Sequence, residues 1–244
     1  MKIKDILKTD KHRPWKLPIN NWKFYQEWNN AIFLHWQVDL NELKKHVPNE
    51  IEIDLFDGNP WVSMVAFSME NLRHKNLPSF SPISNFDEIN IRTYVKYKGK
   101  SGVFFLSIEG GTILSCKLAK EISELPYRFS KIFRDEINFH SLNSEYNDEL
   151  KMQYVIGKRI SKKEAIDKWL TERYALFQDT KNSINGFEIH HIEWPINKIE
   201  ITSLSLNYNR FNKLINNNPD RIHYSKGVEV IAWDKNKTKR TRPI

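Results

Sequence analysis

INIRTYVKYKGKSGVFFLSIE, residues 89–109, is the stretch that decides the fold. From Ile89 to Lys98 polar and apolar side chains alternate, which is the two-residue period of a strand with unlike faces. Gly99-Lys100-Ser101-Gly102 then reads as a turn, and 103–109 as a buried return strand. The same plan lies upstream. EIEIDLF (50–56) alternates, Asp57-Gly58 is a turn dipeptide, and Trp61–Met69 runs back. NAIFLHWQV (30–38) is another extended run; Asp39 then caps a short helix, LNELKKH, that stops before Pro48. Further strands are expected near 128–139, 151–160, 185–193, 197–206 and 227–233, with a loop over 76–88. Helices are expected over 112–123, over 161–177 behind a Ser161/Glu164 capping box, and around 207–217. Hairpins follow one another without a βαβ rhythm. The expected fold class is therefore mainly β (α+β), an antiparallel barrel or cone with two or three peripheral helices.

Composition narrows the function classes. A chain of 244 residues buries enough surface to fold without disulfide or metal staples. Its one cysteine, Cys116, permits no internal disulfide and fits a reducing, cytoplasmic compartment. The start, MKIKDILKTD, carries charges where a signal peptide needs an apolar core, and no long apolar run suggests a membrane span. The net charge of +8 is concentrated at the ends: residues 235–244 hold five cations and no acid, and residues 1–13 five cations against two acids. The body over 14–234 is near neutral. The expected organisation is one domain over 14–234 with basic, flexible termini at 1–13 and 235–244. A folded basic face for nucleic acid is not expected. A C-terminal tail touching polyanions is the weakest of three functional readings.

Common catalytic signatures are missing: no GxSxG elbow, no GxxxxGK[ST] or GxGxxG loop, no CxxC and no HExxH. His190-His191 invites a metal reading, but adjacent strand residues point to opposite faces, so no metal site and no cofactor are expected. Cys116, in a helix, is expected to be a small buried apolar group rather than a reactive thiol. The informative residues are charges embedded in apolar elements: Arg92 in INIRTYV, Tyr127-Arg128 after Pro126, and Glu172-Arg173 in WLTERYALF. Such groups either pair or line a wet cavity.

Several motifs, in order, carry a resemblance. HW (35–36), HVPNEIEIDLFDGNPWVSMVAF (46–67), NIRTYV (90–95), LPY (125–127), WLTERY (169–174), HHIEWP (190–195) and HYSKGVEVIAW (223–233) are similar to the YqjF-like family of uncharacterised proteins across residues 20–234. WNNAIFLHWQVDLNELKKHVPNEIEID (28–54) more distantly resembles the start of acetoacetate decarboxylases, which implies their fold. By that resemblance Glu88 falls where those enzymes carry an active-site glutamate. AKEISELPYR (119–128) resembles the stretch in which they carry two lysines, the first forming the Schiff base and the second lowering its pKa. Here those positions are Tyr127 and Arg128. A phenol forms no imine, and arginine stays protonated. The substrate-holding arginine of those enzymes also falls near Glu27. Lys117 or Lys120 could replace the lost amine only by pointing into the cavity.

The first expectation is thus an internal cavity for a small organic anion, with acid/base chemistry rather than covalent capture. Glu88, Tyr127 and His35 are the catalytic candidates, and Arg92, Arg128, Arg173 and His190 the ligand-binding ones. Arg92 or Arg173 would grip a carboxylate, Glu88 or a histidine would move protons, and Tyr127 would donate to an oxyanion. The alternative is a non-catalytic binding or sensing module on the same scaffold. Assembly into a homo-oligomer is compatible with the resemblance.

Overall fold

A computed structural model of the chain describes residues 3–240. Its first half contains α1 (Ile3–Lys8), β1 (Phe24–Gln37), α2 (Leu40–Lys44), β2 (Glu52–Ile53), β3 (Trp61–His74), α3 (Ser81–Ser84), β4 (Phe86–Tyr97), β5 (Lys100–Gly110) and α4 (Ile113–Ser123). Next come β6 (Tyr127–Phe129), β7 (Lys131–Arg134), β8 (Asn138–Asn143), β9 (Asp148–Arg159), α5 (Ala165–Thr171) and β10 (Ala175–Asp179). The chain closes with β11 (Ser183–His190), β12 (Ile196–Asn207), β13 (Arg221–Ala232) and β14 (Asn236–Lys239). No helix among the described residues is long and apolar enough to cross a membrane.

The strands form one sheet, in the order β14-β11-β10-β5-β4-β3-β1-β13-β12-β9-β8-β7. β11 also pairs with β13, through Ile189↔Ala232 and His190↔Ile231. The seven strands from β11 round to β13 therefore make a cone-like ring. Pairing is antiparallel except where β5 meets β10 and β6. The mainly β cone read from the sequence is the observed fold. β12, β9 and β8 fold across the outside of the ring. Ile32 and Leu34 of β1, Met64 and Ala66 of β3, and Ile89 and Ile91 of β4 pack outward against Phe139, Leu150, Met152 and Ile199. The residues between them, including Phe33, Val65 and Phe67, face inward. This is why Ala31–Trp36 is buried on both faces and reads as an unbroken apolar run.

Two glycines shape the β4–β5 hairpin. Tyr97 pairs with Lys100, so the turn is Lys98-Gly99, whose φ angles of 51° and 75° are those of a two-residue type I′ loop. The turn thus precedes the expected Gly99–Gly102. Gly102 instead lies inside β5, where an added Cβ would sit 2.5 Å from the Ala175 carbonyl oxygen. Its missing side chain admits the parallel strand β10.

Other local expectations are corrected. The 50–56 alternation yields only β2, paired with Val95 and Lys96. The helix expected over 161–177 is α5 alone, and its capping box uses Glu164 and Asp167, not Ser161. Tyr174 and Phe177 fit a helical period, but the edge of β5 and the partner strand β11 draw this segment into β10. The helix expected around 207–217 reduces to a single turn, Asn209–Phe211. The 128–139 strand is divided among β6, β7 and the start of β8.

The termini differ from the loose tails that their charge predicts. α1 buries Ile6 against Tyr25, Ile231 and Trp233. Arg13 is buried: it donates to the Ile189 carbonyl, pairs with Glu188 at 3.2 Å and lies 5.0 Å from the Tyr174 ring centre. β14 pairs with β11. Basic residues here satisfy acids and carbonyls of the body, so residues 3–13 and 235–240 are part of the fold. Residues 1, 2 and 241–244 lie outside the described ones.

Breaking a buried ion pair costs about 3–5 kcal/mol, but Lys100 also contacts Glu188 and would keep it neutralised. Arg13→Ala should therefore lower stability by about 2–3 kcal/mol, measured by urea unfolding.

Candidate functional site

The ring encloses a cavity of about 550 Å³, a size suited to a drug-like organic molecule. Its wall is largely aromatic and aliphatic, with Phe33, Phe67, Phe105, Leu176, Phe187 and Trp194 prominent. β4 supplies the polar floor. Glu88, Asn90 and Arg92 all line the cavity, and the intervening Ile89 and Ile91 belong to the outer core. The strand's two-residue alternation thus sorts acid, amide and base onto one face. Opposite Arg92, Leu106 of β5 is bulged, since Ile91 pairs with Ser107 and Arg92 with Phe105.

Burial sets the chemistry of this floor. Removal from water raises the Glu88 carboxyl from its ordinary 4.5 to about 7, despite hydrogen bonds from Tyr127 and Asn90 and the nearby charge of Arg92. The Tyr127 hydroxyl donates to one Glu88 oxygen at 2.8 Å, and the Asn90 amide to the other at 3.1 Å. Burial and the Glu88 charge push the Tyr127 phenol well above its usual range, so it stays a donor. Arg92 is only 8% exposed. Its guanidinium lies against the Tyr94 hydroxyl and 5.8 Å from the Phe33 ring centre, and its Nε has no hydrogen-bond partner. Among the described residues it forms no ion pair. Arg173 also borders the cavity, but Asp54 neutralises it at 2.7 Å and the Trp169 carbonyl accepts from its Nε at 2.7 Å.

Glu88, Arg92, Tyr127 and Arg173 are thus brought together, whereas His35, Arg128 and His190 are not among the cavity-lining residues. Arg128 turns to the Ser107 hydroxyl and covers the Tyr146 ring. His190 donates from Nε2 to the Ile6 carbonyl at 2.9 Å and ties down α1; burial lowers it to about 4. Its neighbour His191 faces the cavity instead. Adjacent strand residues do point apart, and the sequence gives no means of choosing between them. Asn90 was equally missed, although it shares the parity of Glu88 and Arg92. Cys116 is buried, with its thiol raised to about 11 by burial.

His35, fully buried, lies below the floor in a directed hydrogen-bond chain. Asp167, paired with Arg221 at 3.0 Å, can only accept, so His223 donates from Nε2 at 3.0 Å. The His223 Nδ1 then accepts from His35 Nε2 at 3.1 Å, and His35 Nδ1 accepts from Ser63 at 2.6 Å. Ser63 in turn meets the Tyr94 hydroxyl at 2.5 Å; the single hydroxyl proton of Tyr94 is shared between Ser63 and the Leu170 carbonyl, 3.0 Å away. That leaves the Tyr94 oxygen facing Arg92. Burial and the neighbouring positive groups hold both histidines below their usual range, which keeps each neutral and the direction fixed.

This cone is the acetoacetate-decarboxylase-like fold. Acetoacetate decarboxylase from Legionella pneumophila subsp. pneumophila str. Philadelphia 1 superposes with a TM-score of 0.60 at 15% identity, over 96% of this chain and 94% of that one. The enduracididine biosynthesis enzyme MppR with HEPES buffer bound gives 0.58 at 11% identity, over 94% of each chain. The chain belongs to the DUF2071 family of uncharacterized conserved proteins, which matches residues 25–229. The Bacillus subtilis (strain 168) protein YqjF is 32% identical over 227 residues, covering 89% of this chain and 93% of YqjF.

Between pH 4.5 and 7 the folded protein keeps a proton on Glu88 that the unfolded chain releases, so stability falls as pH rises across that window. Glu88→Gln should remove this loss. The variant is expected to match the parent near pH 4.5 and to exceed it by up to about 3 kcal/mol at pH 8 in denaturant titrations. Nitrogen-15 spectra of labelled histidines should show His35 and His223 as neutral Nε2–H tautomers at pH 7.5; protonation of either there would refute the directed chain.

Proposed function

We propose that the cavity binds a small organic anion without covalent capture, and that Glu88, assisted by Tyr127, exchanges a proton with it. One observation carries this reading: the buried Arg92 guanidinium forms no ion pair among the described residues, and Glu88, four strand positions away, acts on it only through space. A buried cation is costly without a counter-charge, and a ligand carboxylate would supply one in bidentate form. The ligand's reacting carbon would then lie near a carboxyl group that titrates at about 7, suited to giving or taking a proton at neutral pH. Tyr127 steadies that group and can donate to negative charge developing on the ligand.

Covalent carbonyl capture lacks its nucleophile. Tyr127 and Arg128 occupy the positions at which the resemblance places the decarboxylase lysines. Lys117 and Lys120 are on the exposed side of α4. Lys235 touches the cavity only at its edge, where it donates to the Ile122 carbonyl at 2.9 Å and pairs with Glu124 at 3.4 Å. An imine-forming lysine needs a desolvated amine near another cation, and no lysine among the described residues occupies such a place at the floor. A second reading, binding without turnover, is favoured by one observation: both Glu88 oxygens already accept hydrogen bonds from the protein.

Calorimetric titration with pyruvate, 2-oxobutanoate and benzoate tests the proposal. At least one should bind, and Arg92→Gln should weaken it at least 100-fold. An anion beside Glu88 favours its protonated form. Binding at pH 7 should therefore take up protons, seen as a dependence of heat on buffer ionisation, and affinity should fall as pH rises above 7. Borohydride with either oxo acid should give no adduct by mass spectrometry; a lysine adduct refutes the non-covalent reading. Following each bound acid by NMR separates chemistry from simple retention.

A further inference from the structure

α4 is built inside out. Its buried residues are the small, weakly polar Ser115 and Cys116, while Ile113, Leu114, Leu118 and Ile122 are exposed. A surface helix ordinarily does the reverse, because apolar side chains gain most from leaving water. Leu118 and Ile122 are four residues apart and so share one face. Both line the mouth of the cavity at 41% and 47% exposure. Across the mouth are Leu77 and Phe80, each 62% exposed. The two sides are tied together where the Ser115 hydroxyl donates to the Ile83 carbonyl at 3.1 Å. These four side chains continue the aromatic wall outward, so one apolar surface runs from near Arg92 to solvent.

We propose that the ligand is an amphipathic monoanion: a carboxylate at Arg92 carrying an extended aliphatic or aromatic body that covers the wall and reaches the Leu77–Phe80–Leu118–Ile122 rim. This rests on the reading of Arg92 given above and adds the ligand's class. The charge placement supports it. Arg92, buried and without an ion pair among the described residues, lies beside Glu88 and Asn90 at the inner end of a mainly apolar path; Arg73, which also lines the cavity, is engaged by the Asn71 carbonyl and the Tyr25 ring. That is the polarity of a fatty or aryl-alkyl carboxylate. A short oxo acid would fill the floor and leave the wall and rim wet. A second copy of the chain could cover the rim but could not fill the cavity behind it.

The test is calorimetric titration of the full chain with acetate, butanoate, hexanoate, octanoate and decanoate, with 1-octanol as the uncharged comparison. Affinity should rise about fourfold per added methylene up to octanoate, and 1-octanol should bind far more weakly than octanoate. Leu118→Ser combined with Ile122→Ser changes only exposed residues and should preserve folding. It should cut decanoate affinity at least tenfold and leave butanoate unchanged, whereas Arg92→Gln should weaken all the acids alike. Affinity independent of chain length, with Arg92 still required, overturns this inference alone. Failure of every acid to bind overturns the anion reading beneath it. Should the double variant leave decanoate affinity intact while converting a dimer to a monomer in sedimentation, the rim is an interface between copies and the proposal is wrong.

Discussion

β4 is buried on both faces from Glu88 to Val95, and the rest of the molecule answers to that constraint. One face, through Ile89 and Ile91, joins the outer core. The other carries Glu88, Asn90, Arg92 and Tyr94 into the interior of a ring, where ionised groups lose most of their hydration. A neutral apolar strand here would give a solid barrel. This strand requires polar partners instead, and the interior remains partly open around them. Each of the four polar side chains settles its desolvation differently. Glu88 holds its proton more tightly, Asn90 bonds to Glu88, and Tyr94 enters the histidine chain. Arg92, which cannot give up its charge, is left without an anion.

The chain from Tyr94 through Ser63, His35 and His223 to Asp167 explains how Arg92 is held in place. Asp167 sits in α5, caps its own helix at the Glu164 amide and pairs with Arg221. The polarity of one carboxylate is thereby transmitted through His223 and His35 to Ser63, which together with the Leu170 carbonyl holds the Tyr94 hydroxyl that faces the guanidinium. Hydrogen bonds of this kind fix orientation by exclusion, because each neutral histidine has one donor and one acceptor nitrogen. The Arg173–Asp54 pair holds the adjoining wall in the same way, and Arg173 stacks 4.2 Å from the Trp169 ring centre. The cavity floor is therefore braced by ion pairs and hydrogen bonds on the side of α5, and its mouth is built from the short α3 and the outward-facing α4.

The sequence made the cone legible because hairpin turns and two-residue alternation are local signals. Asp39 caps α2 as its side-chain chemistry demands. Arg92 could be found on similar grounds, since a charge within an apolar strand has few explanations, and Tyr127 stood out beside Pro126. Glu88 came only from resemblance. Parity failed where both faces are buried: on β1, nothing local says whether Phe33 or Leu34 turns inward, and so His35 could not be placed. His190 and His191 posed the same problem, decided by α1 docking against one of them. The over-long helix at 161–177 failed for another reason. Tyr174 and Phe177 were spaced for a helix, but the open edge of β5, reachable through Gly102, recruits the segment as a strand. Long-range edges of this kind are invisible in a local window.

The ring is joined unevenly. β1 and β13 share a ladder of eleven residue pairs, whereas β11 meets β13 through only two, at Ile189↔Ala232 and His190↔Ile231. Ile189 and Ala232 also border the cavity. β5 and β10 are joined just as briefly, through Leu176↔Val103 and Phe177↔Phe104. The β10–β11 hairpin is thus a stave let into the hoop between two short welds, and parting either breaks far fewer hydrogen bonds than parting the eleven-pair ladder of β1 and β13.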